Sequence, residues 1–267
     1  HFMNNLINEK INDKSILLPL SSGLDSRTLF VPLKAKSNLT LASYEFEGGF
    51  SETETAKKLS QQFNIPLFAQ KIQRGYLWNK IDTLYNINHC FTEFTHPRQV
   101  NAINNWKGIS DVILLGHWGD VLFDKQANAD NISSDEQIIQ LKKKIMKPGG
   151  FELANDLWTI WNFEESFESY ITDRLEKLYN KIEVDHPSAR MRAFKSLYWA
   201  PRWTSINLSI FKEVGEIVLP YYNDEMCKFI CTVPEIYLAE RKIQIEYIKL
   251  NCPEAAKLPW QKYNPLN

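Results

Sequence analysis

The sequence predicts an α/β protein: an open parallel sheet of about five strands with helices on both faces, followed by a mainly helical C-terminal half. Three observations predict it. Short apolar runs recur at SILLPL (15–20), LTLASYEF (39–46), IPLFAQ (65–70) and DVILLG (111–116), with helical patterns between them. A parallel neighbour needs a crossover connection, so strands alternating with helices imply parallel pairing. From about residue 131 a helical period takes over, with Ile171, Leu175, Leu178 and Ile182 on one face and Met226, Phe229, Ile230 and Val233 on another.

Taken in order, SILLPL is a short apolar run bounded by polar residues, the pattern of a strand buried on both faces. Pro19 weakens the ladder and favours a strand end there. After the second run come Gly48 and Gly49 and then SETE, which has the form of a capping box with Ser51 as N-cap and Glu54 three residues on. Ala56, Leu59 and Phe63 continue at helical spacing. KPGG (147–150) is the best break in the second half. The expected organisation is therefore an α/β part over 3–130 and a helical part over 131–267 packed on the same domain. His1 and Phe2 precede Met3 and read as a cloning remnant. The chain contains no internal repeat and no low-complexity segment.

With 267 residues, 44% of them hydrophobic and 13% aromatic, the chain is long enough to bury a sizeable core. Lys and Arg number 31 against 32 for Asp and Glu, so no overall field draws it to nucleic acid or to an anionic membrane. A small-molecule partner is the default. Cys90, Cys227, Cys231 and Cys252 form no CxxC pair, which suits reduced thiols and a cytoplasmic protein. No stretch approaches the roughly 18 apolar residues of a membrane span.

The chemistry begins at LPLSSGLDS (18–26), where a buried strand gives way to a polar turn and a helix. Backbone N–H groups at a helix start lack internal partners and favour phosphate oxygens. Leu20 closes the strand, Gly23 allows close approach, and Ser21, Ser22 and Ser26 add hydroxyl donors. Asp25 beside phosphates would repel them unless a cation lay between, which suggests Mg²⁺. The same residues also make ordinary turns and caps, so a purely structural turn stands as the alternative.

SSGLDS resembles the SGGxDS pyrophosphate loop of the PP-loop ATP pyrophosphatases, and its context is similar to the synthetase domain of asparagine synthetases. LLGHWGDVLF (114–123) sits where that family has a second motif of the form SGxGxDELF. PYYND (220–224) is similar to its PFLD-like segment, and LPWQK (258–262) to its "LP…K" tail. The four matches follow the family order from residue 15 to 262. The resemblance implies an adenine-nucleotide alpha-hydrolase-like fold, ATP and Mg²⁺ as cofactors, and Asp25 and Asp120 as the metal carboxylates. It further implies that Leu20, Ser21, Ser22, Gly23, Asp25, Ser26 and Gly116 surround the nucleotide and that Lys262 neutralises charge on the reacting phosphates. A solvated lysine is the alternative for Lys262. The implied reaction activates a small carboxylic acid as its adenylate and transfers it to ammonia or an amine.

The departures from the pattern are informative. Ser22 stands where the family has glycine, Leu115 where it has serine, and Val121 where it has glutamate. His117, three residues before Asp120, occupies a position that in the family handles the nucleophile's proton, and imidazole suits a general base. A structural histidine stacking near Trp118 is the alternative. No glutaminase domain precedes the loop, which implies a separate ammonia source, a separate glutaminase subunit or an excised half. A catalytically degenerate nucleotide-binding or scaffold protein is the competing function. Arg190, Arg192 and Arg202 are candidates for binding the acid's carboxylate. Trp158, Trp161, Phe163, Trp199 and Trp203 read as core or interface aromatics, and a zinc site at His89, Cys90, Glu93 and His96 fits no standard spacing.

Overall fold

The structure is a computed structural model that describes residues 2–49, 51–89, 91 and 98–260. Five strands form one sheet: β1 (Ile16–Pro19), β2 (Leu39–Phe46), β3 (Leu67–Ile72), β4 (Val112–Leu114) and β5 (Glu216–Val218). Their spatial order is β3-β2-β1-β4-β5, and every pairing is parallel. The three residues of β1 that pack deepest, Ile16, Leu17 and Leu18, are fully buried, as the unbroken apolar run requires. β1 pairs with β2 from Ile16 opposite Leu39 and with β4 from Ile16 opposite Val112. The chain runs outward through β2 and β3 and then returns past β1 to β4, so the order reverses between β1 and β4. Open parallel sheets bind ligands at such a switch point, beyond the carboxyl ends of the strands.

Helix α1 (Phe2–Ile11) precedes the sheet, α2 (Leu24–Leu33) follows β1, and α3 (Thr53–Phe63) follows β2. Phe2, set aside on sequence grounds, lies inside α1 and stacks on Phe229 at 5.0 Å. β3 starts at Leu67 rather than 65, and β5 carries only EIV, a run too short for an alternating or apolar pattern to mark it. The capping box at Ser51 does not form. Ser51 donates its hydroxyl to Glu45 (3.1 Å), and α3 is capped at Glu52 without a side-chain bond. One face of the sheet is sealed by Leu17, Ala42, Ile113 and Leu115 with Trp106 and Phe211.

The chain groups into two compact units. One comprises the residues up to Phe123 together with those from Trp203 onward; the other is Asp124–Arg202. The division differs from the single boundary near 130, because the last part of the helical half belongs with the sheet. The second unit is helical, with Ser134–Ile145, Pro148–Ile160, Phe167–Tyr179 and Pro187–Phe194 around a core that includes Leu141, Leu175, Tyr179 and Met191. KPGG does not break the chain. Lys147 caps the second of these helices and Pro148 occupies its first turn, where a missing N–H costs nothing. Among the described residues, no helix is long and apolar enough to cross a membrane.

Candidate functional site

A cleft of about 620 Å³ opens at the carboxyl edge of the sheet, lined by residues of the turns after β1, β2 and β4. Leu20, Ser21, Ser22, Gly23, Asp25, Ser26, Gly116 and His117 all face it. The turn 21–26 and the start of the turn after β4, both singled out in the sequence, therefore line one side of the same cleft. The other wall is aromatic: Tyr44 lies edge-on to Phe46 (5.7 Å), and Phe46 packs on Tyr76 (5.6 Å). Burial pushes the Tyr44 phenol up to about 12, so it is a hydrogen-bonding group and not an acid at neutral pH.

The loop is held by its own serines. Ser26 Oγ accepts from the Ser21 N–H (3.1 Å) and meets Ser21 Oγ (3.1 Å), while Gly23 N–H donates to Ser21 Oγ (3.2 Å). Ser22 donates its hydroxyl (2.9 Å) and its N–H (3.3 Å) to one oxygen of Glu52. An internal carboxylate thus rests on donors of the type that bind phosphate. Ser22 thus has an evident partner in Glu52, which the sequence pattern did not expose.

The turn after β4 folds onto the first turn of α2. A Cβ at Gly116 would stand 3.1 Å from Ser26 N, and one at Gly119 would stand 2.2 Å from Asp25 Oδ1 and 2.9 Å from the Tyr221 ring. Only glycine permits this approach. Between them, Trp118 takes φ 80°, an uncommon conformation for a bulky side chain, and its ring packs on Tyr222 (5.6 Å). The strained turn presents Gly119 to Asp25 and leaves Asp120 exposed.

Asp25 is the centre of the site. Its Oδ1 accepts from Arg241 in an ion pair and from Gln244 Nε2 (3.1 Å), and its backbone carbonyl accepts from Tyr221 Oη (2.8 Å). Burial pushes its carboxyl up from 3.8 to about 6; Arg241 works against the rise, and the neighbouring Asp120 charge adds to it. The Asp120 charge therefore acts on the Asp25 carboxyl. Tyr221 belongs to the PYYND segment, which the structure brings to Asp25 from almost two hundred residues away.

Arg241 and Gln244 escaped the sequence reading. Glu240 and Arg241 both have positive φ, 57° and 62°, and this kink starts the helix Lys242–Asn251 so that one turn delivers both side chains to Asp25. No motif marks them; two adjacent non-glycine residues in the left-handed region are visible only in the backbone.

His117 packs edge-on against Phe211 (5.9 Å). Its Nδ1 is buried with no hydrogen-bond partner. Burial drives its titration down from 6.5 to about 4, against the attraction of Asp120, so the ring is neutral at physiological pH. A neutral imidazole of that kind accepts a hydrogen bond but is a weak base. Lys262 lies outside the described residues, as do Cys90, Glu93 and His96. Arg190, Arg192 and Arg202 belong to the second unit, where Arg190 donates to the Tyr179 carbonyl, Arg192 to that of Asp124 and Arg202 to that of Tyr198. Trp161 and Phe163, expected as core or interface aromatics, are exposed. Among the described residues, no three His, Cys, Asp or Glu side chains gather as a metal site.

No protein-family model and no curated protein matches the chain.

Proposed function

We propose that the chain is a PP-loop ATP pyrophosphatase with an adenine-nucleotide alpha-hydrolase-like fold, acting as an AMP-forming amide synthetase similar to asparagine synthetases. The observation that supports this best is the junction of two turns at the switch point, each contributing an aspartate beside a cleft lined by Ser21, Ser22, Gly23 and Ser26. The loop donors and the start of α2 suit the phosphates, and the aromatic wall of Tyr44 and Phe46, backed by Tyr76, suits a nucleoside base.

Mg²⁺ fits the donor chemistry: two carboxylates are the share a protein supplies when phosphate and water oxygens complete its shell. Asp25 and Asp120 would hold it, and when bound it neutralises charge on the phosphates. Asp25 uses Oδ1 for both Arg241 and Gln244. The acid's oxygen attacks the α-phosphorus, the bond from that phosphorus to the β-phosphate oxygen breaks, and pyrophosphate leaves. Arg241 supplies positive charge at this edge as negative charge moves to the leaving group. The amine nitrogen then attacks the acyl carbon, the bond from that carbon to the AMP phosphate oxygen breaks, AMP leaves, and the nitrogen gives up its proton to solvent water as the amide forms. His117 lines the cleft beside this step as a neutral ring. Ammonia from a separate glutaminase, or a free amine, serves as acceptor.

Titration calorimetry with Mg-ATP and Mg-pyrophosphate, followed by pyrophosphate release with small carboxylic acids and ammonia, tests the reading. Binding of both and acid-dependent release are expected; failure to bind either refutes it. A second reading, a nucleotide-binding protein without turnover, draws on Asp25 being held by Arg241, on Glu52 seated on Ser22 and on the weak base at His117. Binding of Mg-ATP with no release for any acid would select it.

A further inference from the structure

Arg27, in the first turns of α2, is 1% exposed. Its guanidinium donates to four backbone carbonyls: Nη1 to Ala255 (3.0 Å) and Leu258 (2.8 Å), Nη2 to Ser22 (2.9 Å) and Pro259 (3.1 Å). Its Nε has no partner. All four acceptors are neutral, and among the described residues no carboxylate pairs with it. A buried cation without a counter-charge is expensive, and burial accordingly lowers its proton affinity, although an arginine remains charged.

The Ser22 carbonyl carries the argument to the cleft. In a trans peptide the C=O and the following N–H point in opposite directions. By drawing the Ser22 carbonyl toward itself, Arg27 turns the Gly23 N–H away, to the side where Ser21 Oγ now accepts it. The same guanidinium grips the segment 255–259 with three further bonds.

We propose that Arg27 is a positioning residue for the phosphate loop: its buried charge is completed by phosphate on the other side of the Ser22–Gly23 peptide, and its grip couples loop occupancy to the order of segment 255–259. The proposal rests on the phosphate-loop reading above. Linkage makes the coupling reciprocal: an anion that tightens the loop tightens the segment.

The test combines calorimetry with Mg-pyrophosphate and amide hydrogen exchange over 255–259 in wild type, Arg27→Lys and Arg27→Gln. In wild type, pyrophosphate slows exchange across the segment. Arg27→Gln, which removes the charge, weakens pyrophosphate about tenfold, whereas Arg27→Lys stays within about threefold; both exchange faster at 255–259, since neither spans four carbonyls. Equal loss in the two variants, or no loss in either, overturns the role of charge. Should Arg27→Gln not fold, wild type still decides, because pyrophosphate binding with no slowing at 255–259 overturns the coupling. A wild type that binds no pyrophosphate overturns the phosphate-loop reading together with this one, whereas binding that the variants leave unchanged removes only the role of Arg27.

Discussion

Replacing Asp25 with asparagine should make the protein more stable, not less. The folded carboxyl titrates at about 6 against an ordinary 3.8, because burial and Asp120 outweigh the help of Arg241 and Gln244. It holds its proton more tightly folded than unfolded, so folding takes up a proton within this window, and stability falls as pH rises from 3.8 through about 6. At about 1.4 kcal/mol per pH unit, keeping the charge in place costs about 3 kcal/mol at neutral pH. Asparagine keeps the shape and the acceptor oxygen but carries no charge. Urea denaturation of both proteins between about pH 4 and about pH 7.5 gives the difference in unfolding free energy, in which the other titrating groups largely cancel. That difference should grow in favour of Asp25→Asn by about 3 kcal/mol across the range, with most of the change below about pH 6. A flat difference, or one that moves toward wild type as pH rises, would mean that Arg241 and Gln244 more than repay the lost hydration, and the assigned strain at Asp25 would be wrong.

Three further outcomes follow from the same geometry. Gly119→Ala drives a methyl group into Asp25 Oδ1 and the Tyr221 ring, and should cost about 1–3 kcal/mol in chemical denaturation while a matched Gly149→Ala, with open space around it, costs far less. His117, titrating near 4, should give an imidazole proton resonance that stays flat from about pH 5.5 to about pH 8; its contribution to stability is full above 6.5 and is lost as pH falls toward 4, and a midpoint near 6.5 would contradict its burial. Glu52→Gln leaves Ser22 an acceptor but removes a charge from the loop, so Mg-pyrophosphate should bind about threefold tighter by calorimetry, and weaker binding would show that Glu52 assists the ligand.

How much of this was legible in the sequence depends on distance along the chain. β1, β2 and β4 announce themselves because burial on both faces demands unbroken apolar runs, and the turns SSGLDS and GHWGD are legible because their small and acidic residues are contiguous. β5 hides in three residues whose pairing with β4 is decided by the sheet and not by their own pattern. Arg241 and Gln244 are ordinary helical residues until a kink at Glu240 turns them onto Asp25. Arg27 was passed over because arginine usually ends in water, and nothing local says that four carbonyls will surround it. His117 was found, but its environment was not: the partner ring is Phe211, ninety-odd residues on, and that burial replaces a working base with a neutral acceptor.

The way Asp25 and Arg27 are satisfied has a consequence for how the chain is made. Both lie beside β1, yet the groups that neutralise or solvate them, Tyr221, Arg241, Gln244 and the carbonyls of 255–259, emerge from a ribosome about two hundred residues later. Until then a nascent chain carries an orphan carboxylate and an orphan guanidinium beside β1, so the sheet edge can be sketched during synthesis but closed only after residues 221–259 have emerged.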